Sequence, residues 1–186
     1  MISSNDLRPG LTIEFRAGVW QVIEAMHVKP GKGSAFVQIK LRNLETGDVL
    51  STNFRAGERL SFANVENLKL TFIYRDTDQY ILIDSEGNES IELVAKQFGR
   101  NLDLLKAGQE NIQVTRHKDR VIRVNLPQTV DLTVTDTPPD EKGNTSATSG
   151  KQATLETGAR VMVPFHIKVG DTLRIDTRTR EYLMRL

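Results

Sequence analysis

Lys32 stands between two glycines in the run Val28-Lys29-Pro30-Gly31-Lys32-Gly33-Ser34-Ala35-Phe36, and no other side chain in the sequence is better placed to act on a partner. Pro30, Gly31 and Gly33 are turn punctuation. Strand-like residues flank them, with Val19, Trp20, Val22, Ile23, Met26 and Val28 before and Phe36, Val37, Ile39 and Leu41 after. The spacing predicts a hairpin whose tip stands clear of any core. Glycine neighbours leave no Cβ in the way of a close approach. An ammonium on a long stem is a compact cation suited to RNA backbone oxygens. The pattern is that of a basic finger.

Other chemistries lack their residues. Gly31-Lys32-Gly33-Ser34 faintly resembles a phosphate-binding P-loop, but that motif needs a glycine where Met26 stands and Ser or Thr where Gly33 stands. A strand rather than a helix N-terminus is expected to follow. His27, His117 and His166 are scattered without metal-ligand spacing. His27 and His117 read as surface strand residues, and His166, between Phe165 and Ile167, as partly buried. The chain has no cysteine and no serine elbow to supply a nucleophile. The expectation is a protein that is not an enzyme and holds no metal or cofactor.

Composition sets the frame. The 186 residues carry 25 Lys and Arg against 24 Asp and Glu, a net charge of +1. A nonspecific nucleic-acid binder would show a strongly basic patch or domain. The absence of cysteine fits a reducing cytoplasm, and no window approaches a membrane span. Alternation of period two marks strands over Phe36–Leu44, Leu70–Tyr74, Tyr80–Asp84, Ser90–Val94, Ile112–Thr115, Val121–Leu126, Val130–Val134, Arg160–Val163 and Thr172–Ile175. One helix is expected from about Ala95 to Lys106, stopped by Gly108 and weakened by Gly99. Many short strands with regular turns imply an all-β protein made of small barrels or sandwiches.

A polar stretch at Asn64–Leu68 and the pair Pro127-Gln128 divide the chain into units 1–64, 65–127 and 128–186. Asp136–Gly150, rich in Thr, Pro, Asp, Gly and Ser, reads as a long exposed loop.

The finger and the C-terminal third together resemble the bacterial elongation factor P family. The finger matches the family's loop through Lys29–Phe36. The C-terminal pattern runs from Ala153 through Gly158, Val161 and Val163-Pro164 to Ile167 and Gly170, and Asp176–Tyr182 is similar as well. Taken for themselves, Val161, Val163, Ile167 and Ile175 read as barrel core, and Pro164 as an edge or bulge residue.

The resemblance implies an SH3-like, KOW-type barrel followed by two OB-fold barrels, in an elongated monomer shaped somewhat like tRNA. It implies a translation elongation factor that binds the ribosome between the P and E sites. There it would stimulate peptide bond formation at consecutive prolines by positioning peptidyl-tRNA. Lys32 matches the residue that relatives point at the tRNA acceptor end and often modify, so a modifying enzyme joins the expected partners. Lys29 and Lys40 are candidates for phosphate contacts. Gly143-Asn144-Thr145 matches a Gly-Asp-Thr turn that reads messenger RNA at the E site in some relatives, and Asn144 keeps an acceptor while losing the charge. Tyr182 and Arg185 are candidate contacts to ribosomal RNA or protein. The alternative is a general RNA- or ribosome-binding β-barrel protein without proline specificity.

Overall fold

The computed structural model describes residues 1–139 and 150–186. The chain divides into two compact units, one formed by residues 1–67 with 114–123 and the other by 68–113 with 124–186.

Strands β1 (Ile2–Ser3), β2 (Thr12–Phe15), β3 (Gly18–Val28), β4 (Phe36–Asn43), β5 (Val49–Arg55) and β6 (Arg59–Phe62) form an antiparallel sheet in the order β1-β6-β2-β3-β4-β5. Ile13, Trp20, Val22, Val37, Ile39, Leu41 and Phe54 fill its core. These are the residues on one side of the period-two pattern, which is why the pattern shows in the sequence. Phe15 meets both Trp20 and Phe54 edge to face, with ring centroids 6.3 and 5.4 Å apart.

A second sheet has the order β11-β10-β7-β8-β9, from β7 (Val65–Asp76), β8 (Gln79–Asp84), β9 (Ser90–Val94), β10 (Ile112–His117) and β11 (Arg120–Asn125). Residues 65–68, read from sequence as part of a polar separator, are thus already strand. Their polar side chains have partners on β10: Thr115 donates to Asn67 Oδ1 at 2.9 Å, and Arg116 pairs with Glu66 at 2.7 Å.

The expected twelve-residue helix is not continuous. Ala95–Phe98 form one α-helical turn, α1, and Gly99–Leu104 continue as a 3-10 turn. Gly99, at φ 59° and ψ −140°, breaks the ladder between them. Leu104 then drops, fully buried, into the core of the third sheet.

That sheet, β14-β13-β12-β15-β16, consists of β12 (Thr129–Asp136), β13 (Lys151–Leu155), β14 (Arg160–Val163), β15 (Thr172–Asp176) and β16 (Tyr182–Arg185). Val161, Val163, Ile167 and Ile175 lie in its core, and Pro164 follows the end of edge strand β14. Of the loop expected over 136–150, Asp136 closes β12, and residues 140–149 lie outside the described part. Within this unit Arg180 takes a left-handed φ of 65°. Its guanidinium forks onto Asp103 at 2.7 and 2.6 Å.

Candidate functional site

The finger grows out of the longest strand pair of the first unit. β3 and β4 run antiparallel from Trp20↔Asn43 to Val28↔Phe36, with a register shift between Val22 and Glu24. A bulge of this kind bends and twists the strand, so the outer half of the hairpin takes a new direction. The anchoring is apolar: Val22, Val37, Ile39 and Leu41 are at most 1% exposed. Burying such a side chain contributes roughly 1.5–3 kcal/mol. The base of the finger is therefore rigid.

Beyond Val28 the apolar residues stop, and so does the burial. Lys29, Pro30, Gly31, Lys32, Gly33 and Ser34 are all exposed. The return arm is pinned at one point, where the Ala56 N–H donates to the Ala35 carbonyl at 3.1 Å. Gly33 holds φ 106°, a conformation that L side chains rarely adopt, with only Pro30 Cγ near where a Cβ would stand. A Cβ at Gly31 would meet nothing within 4 Å. The two glycines thus differ: Gly33 serves the turn, whereas Gly31 only leaves open space beside Lys32. No described residue bonds or pairs with the Lys32 ammonium. A buried counter-charge would fix the side chain inside the protein, and no described residue supplies one.

Lys40 differs from Lys32. It points from β4 onto Glu24 of β3, Nζ to Oε1 3.2 Å, so its charge is answered within the sheet. Arg55, an exposed cation, stands opposite Phe36 at the last rung of β4 and β5, where the finger loop rejoins the sheet. Sequence reading missed it, because only the strand register brings it there.

The other candidates belong to the second unit. Tyr182 packs against the C-terminal core, and Arg185 Nη1 lies 3.7 Å from Asp171, just before β15. Gly143, Asn144 and Thr145 lie outside the described residues. His27 and His166 are exposed, the latter against expectation, because it sits in the turn after Pro164 rather than in a strand.

His117 departs further from expectation. Its side chain is only 12% exposed and sits between two acceptors, with Nδ1 2.7 Å from the Asn64 carbonyl and Nε2 2.8 Å from Glu14 Oε1. Lys118 reaches the same carboxylate at 3.0 Å, and Arg120 reaches Glu45 at 2.8 Å. The hydrogen bonds from His117 and Lys118 hold the Glu14 carboxyl below the usual range. This cluster fastens the tip of the β10–β11 hairpin within the first unit. Among the described residues, no group of three or more His, Cys, Asp or Glu side chains is arranged to hold a metal ion. Nor is any helix long and apolar enough to cross a membrane.

Three family models lie end to end along the chain. They are the elongation factor P KOW-like domain over residues 3–60, the OB domain over 65–124 and the C-terminal domain over 130–185. A KOW-like barrel, OB-type barrels and an exposed lysine finger define a translation factor of the small β-barrel class. Its fold is similar to that of a translation initiation factor eIF-5A family protein from Naegleria fowleri. That likeness has TM-score 0.54 and 16% identity, over 67% of this chain and 96% of the other. Sequence relatives narrow the class. The chain is 49% identical over 186 residues to elongation factor P of Carboxydothermus hydrogenoformans and 48% over 185 residues to that of a Cyanothece species, covering the whole of each protein. The chain belongs to the elongation factor P family and is a translation elongation factor.

Proposed function

We propose that the protein binds the ribosome between the P and E sites and speeds peptide bond formation where consecutive prolines stall it, with Lys32 held against the acceptor end of peptidyl-tRNA. The observation that carries this reading is the finger itself: a rigid apolar stem, a glycine-flanked tip, and an ammonium with no partner among the described residues. Proline fixes φ and removes the N–H, so successive prolines fit poorly into a reactive geometry. The ribosome supplies the bond-making groups; the factor supplies position and is not itself an enzyme. Holding reactants in a near-attack arrangement is worth on the order of 10²-fold in rate or more.

Lys32, exposed and flanked by glycines, is also open to covalent extension, which would lengthen its reach, and to a modifying enzyme. Lys29 adds a second exposed cation to the same loop. Lys40 contributes to RNA contact only by leaving Glu24. Tyr182 and Arg185 are assigned to contacts with ribosomal RNA or protein, and Gly143, Asn144 and Thr145 to messenger RNA at the E site. The protein acts in the cytoplasm as a monomer.

The test is a reconstituted translation system programmed with a template encoding three consecutive prolines and with a proline-free control. Protein purified from its native host should rescue the first template selectively, and Lys32→Ala should abolish the rescue. Equal effects on both templates would replace this reading with general ribosome binding that has no proline specificity.

A further inference from the structure

The second unit contains a cleft of about 420 Å³ that the finger reading leaves unused. Its walls come from the 3-10 turn, the start of β10, the connection after β11 and the turn after β15. Four amide side chains line it, those of Asn101, Gln113, Asn125 and Gln128. None is hydrogen-bonded to a described side chain or backbone group. Asn101 is the telling one: its Oδ1 is shut off from solvent and has no partner. A buried acceptor left unpaired is costly, and a native structure that keeps one calls for a donor from elsewhere.

The cleft is built rather than incidental. Thr177 Oγ1 donates to the Pro127 carbonyl at 2.7 Å, and the Thr177 N–H donates to the Gln128 carbonyl at 2.9 Å. Asp176 Oδ1 in turn accepts the N–H groups of Arg178 and Thr179 at 2.7 and 3.1 Å. These bonds fix the connection 127–128 against the turn 177–179, so little ordering remains to be done on binding. Leu126 and Pro127 offer a half-buried apolar surface beside the amides. Arg178, its side chain 71% exposed and 3.6 Å from Asp176, is the one charged residue among the described lining residues, none of which is a carboxylate.

We propose that this cleft binds one unstacked nucleotide of single-stranded RNA. Amide side chains offer a donor and an acceptor side by side, the pattern that matches base edges. Leu126 and Pro127 offer apolar contact to the base plane, and splayed-out bases are the usual target of sequence-reading RNA sites. Arg178 takes the phosphate, bidentate where geometry allows. An extended peptide would use the same amides, but Arg178, 71% exposed beyond its contact with Asp176, and the lack of a carboxylate among the described lining residues favour the anionic ligand. That choice rests on reading the protein as ribosome-bound; the cleft's unpaired amides do not.

The test uses the purified full chain without ribosomes. Side-chain NH₂ resonances of Asn101, Gln113, Asn125 and Gln128 are followed by NMR while uridine, cytidine, adenosine and guanosine 5′-monophosphates, hexauridylate and a tetra-alanine peptide are each titrated in. The expected result is saturable movement of these four resonances with nucleotide and hexauridylate but not with the peptide. Arg178→Ala should weaken hexauridylate by about tenfold, the loss of one charge-assisted hydrogen bond. Asn101→Ala should weaken it while leaving the remaining backbone resonances in place. Movement with the peptide alone, shifts spread over surface cations and sparing the amides, or no movement at millimolar nucleotide would each overturn the proposal. Lys32→Ala protein should titrate like the wild type. A failure of the finger to rescue proline templates and a failure of the cleft to bind are therefore read separately.

Discussion

Two hairpin tips of the first unit carry lysines, and they have opposite fates. At the β10–β11 tip, Lys118 finds Glu14 at 3.0 Å, its neighbour His117 is wedged between Glu14 and the Asn64 carbonyl, and Arg120 takes Glu45. At the β3–β4 tip, Lys32 has nothing of the kind among the described residues. The residue types are similar; the surroundings are not. Acceptors converge on the first tip and turn it into an internal fastening. The second is raised on a buried apolar stem and meets no acceptor among the described residues. Cationic hairpin tips are common, so the charge alone says little about function. What marks Lys32 is a rigid base combined with an unanswered charge.

The largest expected effect falls on the free tip. Lys32→Ala should reduce proline-template rescue by on the order of 10²-fold, the scale of lost positioning, while leaving the thermal midpoint unchanged. A shift in the midpoint would mean that Lys32 is engaged within the protein after all. His117→Ala should do the reverse. Stranding the Asn64 carbonyl and loosening Glu14 should cost about 1–3 kcal/mol of stability in denaturant titrations, with rescue kept below the melting range. Lys118→Ala should cost less than about 1 kcal/mol, because its side chain is 74% exposed and such pairs are weak. If His117→Ala lost rescue at unchanged stability, the contrast between the two tips would collapse.

The glycines sharpen the same contrast on a smaller scale. Gly33→Ala forces a Cβ into a left-handed φ of 106°, costing roughly 1–2 kcal/mol if the loop keeps its shape. Because the loop is exposed and nearly unbonded, it should instead relax and re-aim the tip. Rescue should therefore fall severalfold with little change in melting. Gly31→Ala should be tolerated, since a Cβ there meets nothing within 4 Å and its φ is not positive. Equal loss in both variants would show that close approach, rather than turn geometry, is what the glycines provide.

The finger was legible in the sequence because everything that makes it is local. The apolar alternation of β3 and β4, the punctuation by Pro30, Gly31 and Gly33, and the lone Lys32 all lie within a stretch of contiguous residues. The strands were legible for the same reason: Ser90–Val94 and Arg160–Val163 fall where their alternation places them. What the sequence hid depends on partners distant along the chain. His117 reads as a surface residue until Asn64 and Glu14, 53 and 103 positions away, are brought to it. Arg55 comes to the finger only through strand register. The helix failed at Gly99, where a breaker inside a helical pattern competed with tertiary packing, and Leu104 was drawn into another sheet's core. No period in the sequence reports that choice.

The smallest expected effect separates the tips by pH. His117 and Lys118 hydrogen bonds depress the Glu14 carboxyl below its ordinary value near 4.5, so folding favours the ionised form. A group with a lowered folded pKa contributes stability fully above its unfolded value and loses it as pH falls through the folded one. The Glu14 contribution should therefore be level from neutrality down to about pH 5, near the unfolded carboxylate range, and should fade below that. Asp131 and Asp176 are also depressed, by hydrogen bonds from Arg174 and from the Thr179 and Arg178 backbone, and add to the same acid limb. Glu14 is isolated by difference: Glu14→Gln should melt lower than wild type at neutral pH, and the gap should narrow as pH falls toward 3. A gap independent of pH would mean that the carboxylate's shape rather than its charge holds the hairpin tip. Lys32→Ala should run parallel to wild type across the whole range, because no carboxylate among the described residues answers the finger, and a pH-dependent gap there would expose a partner that the first unit does not otherwise reveal.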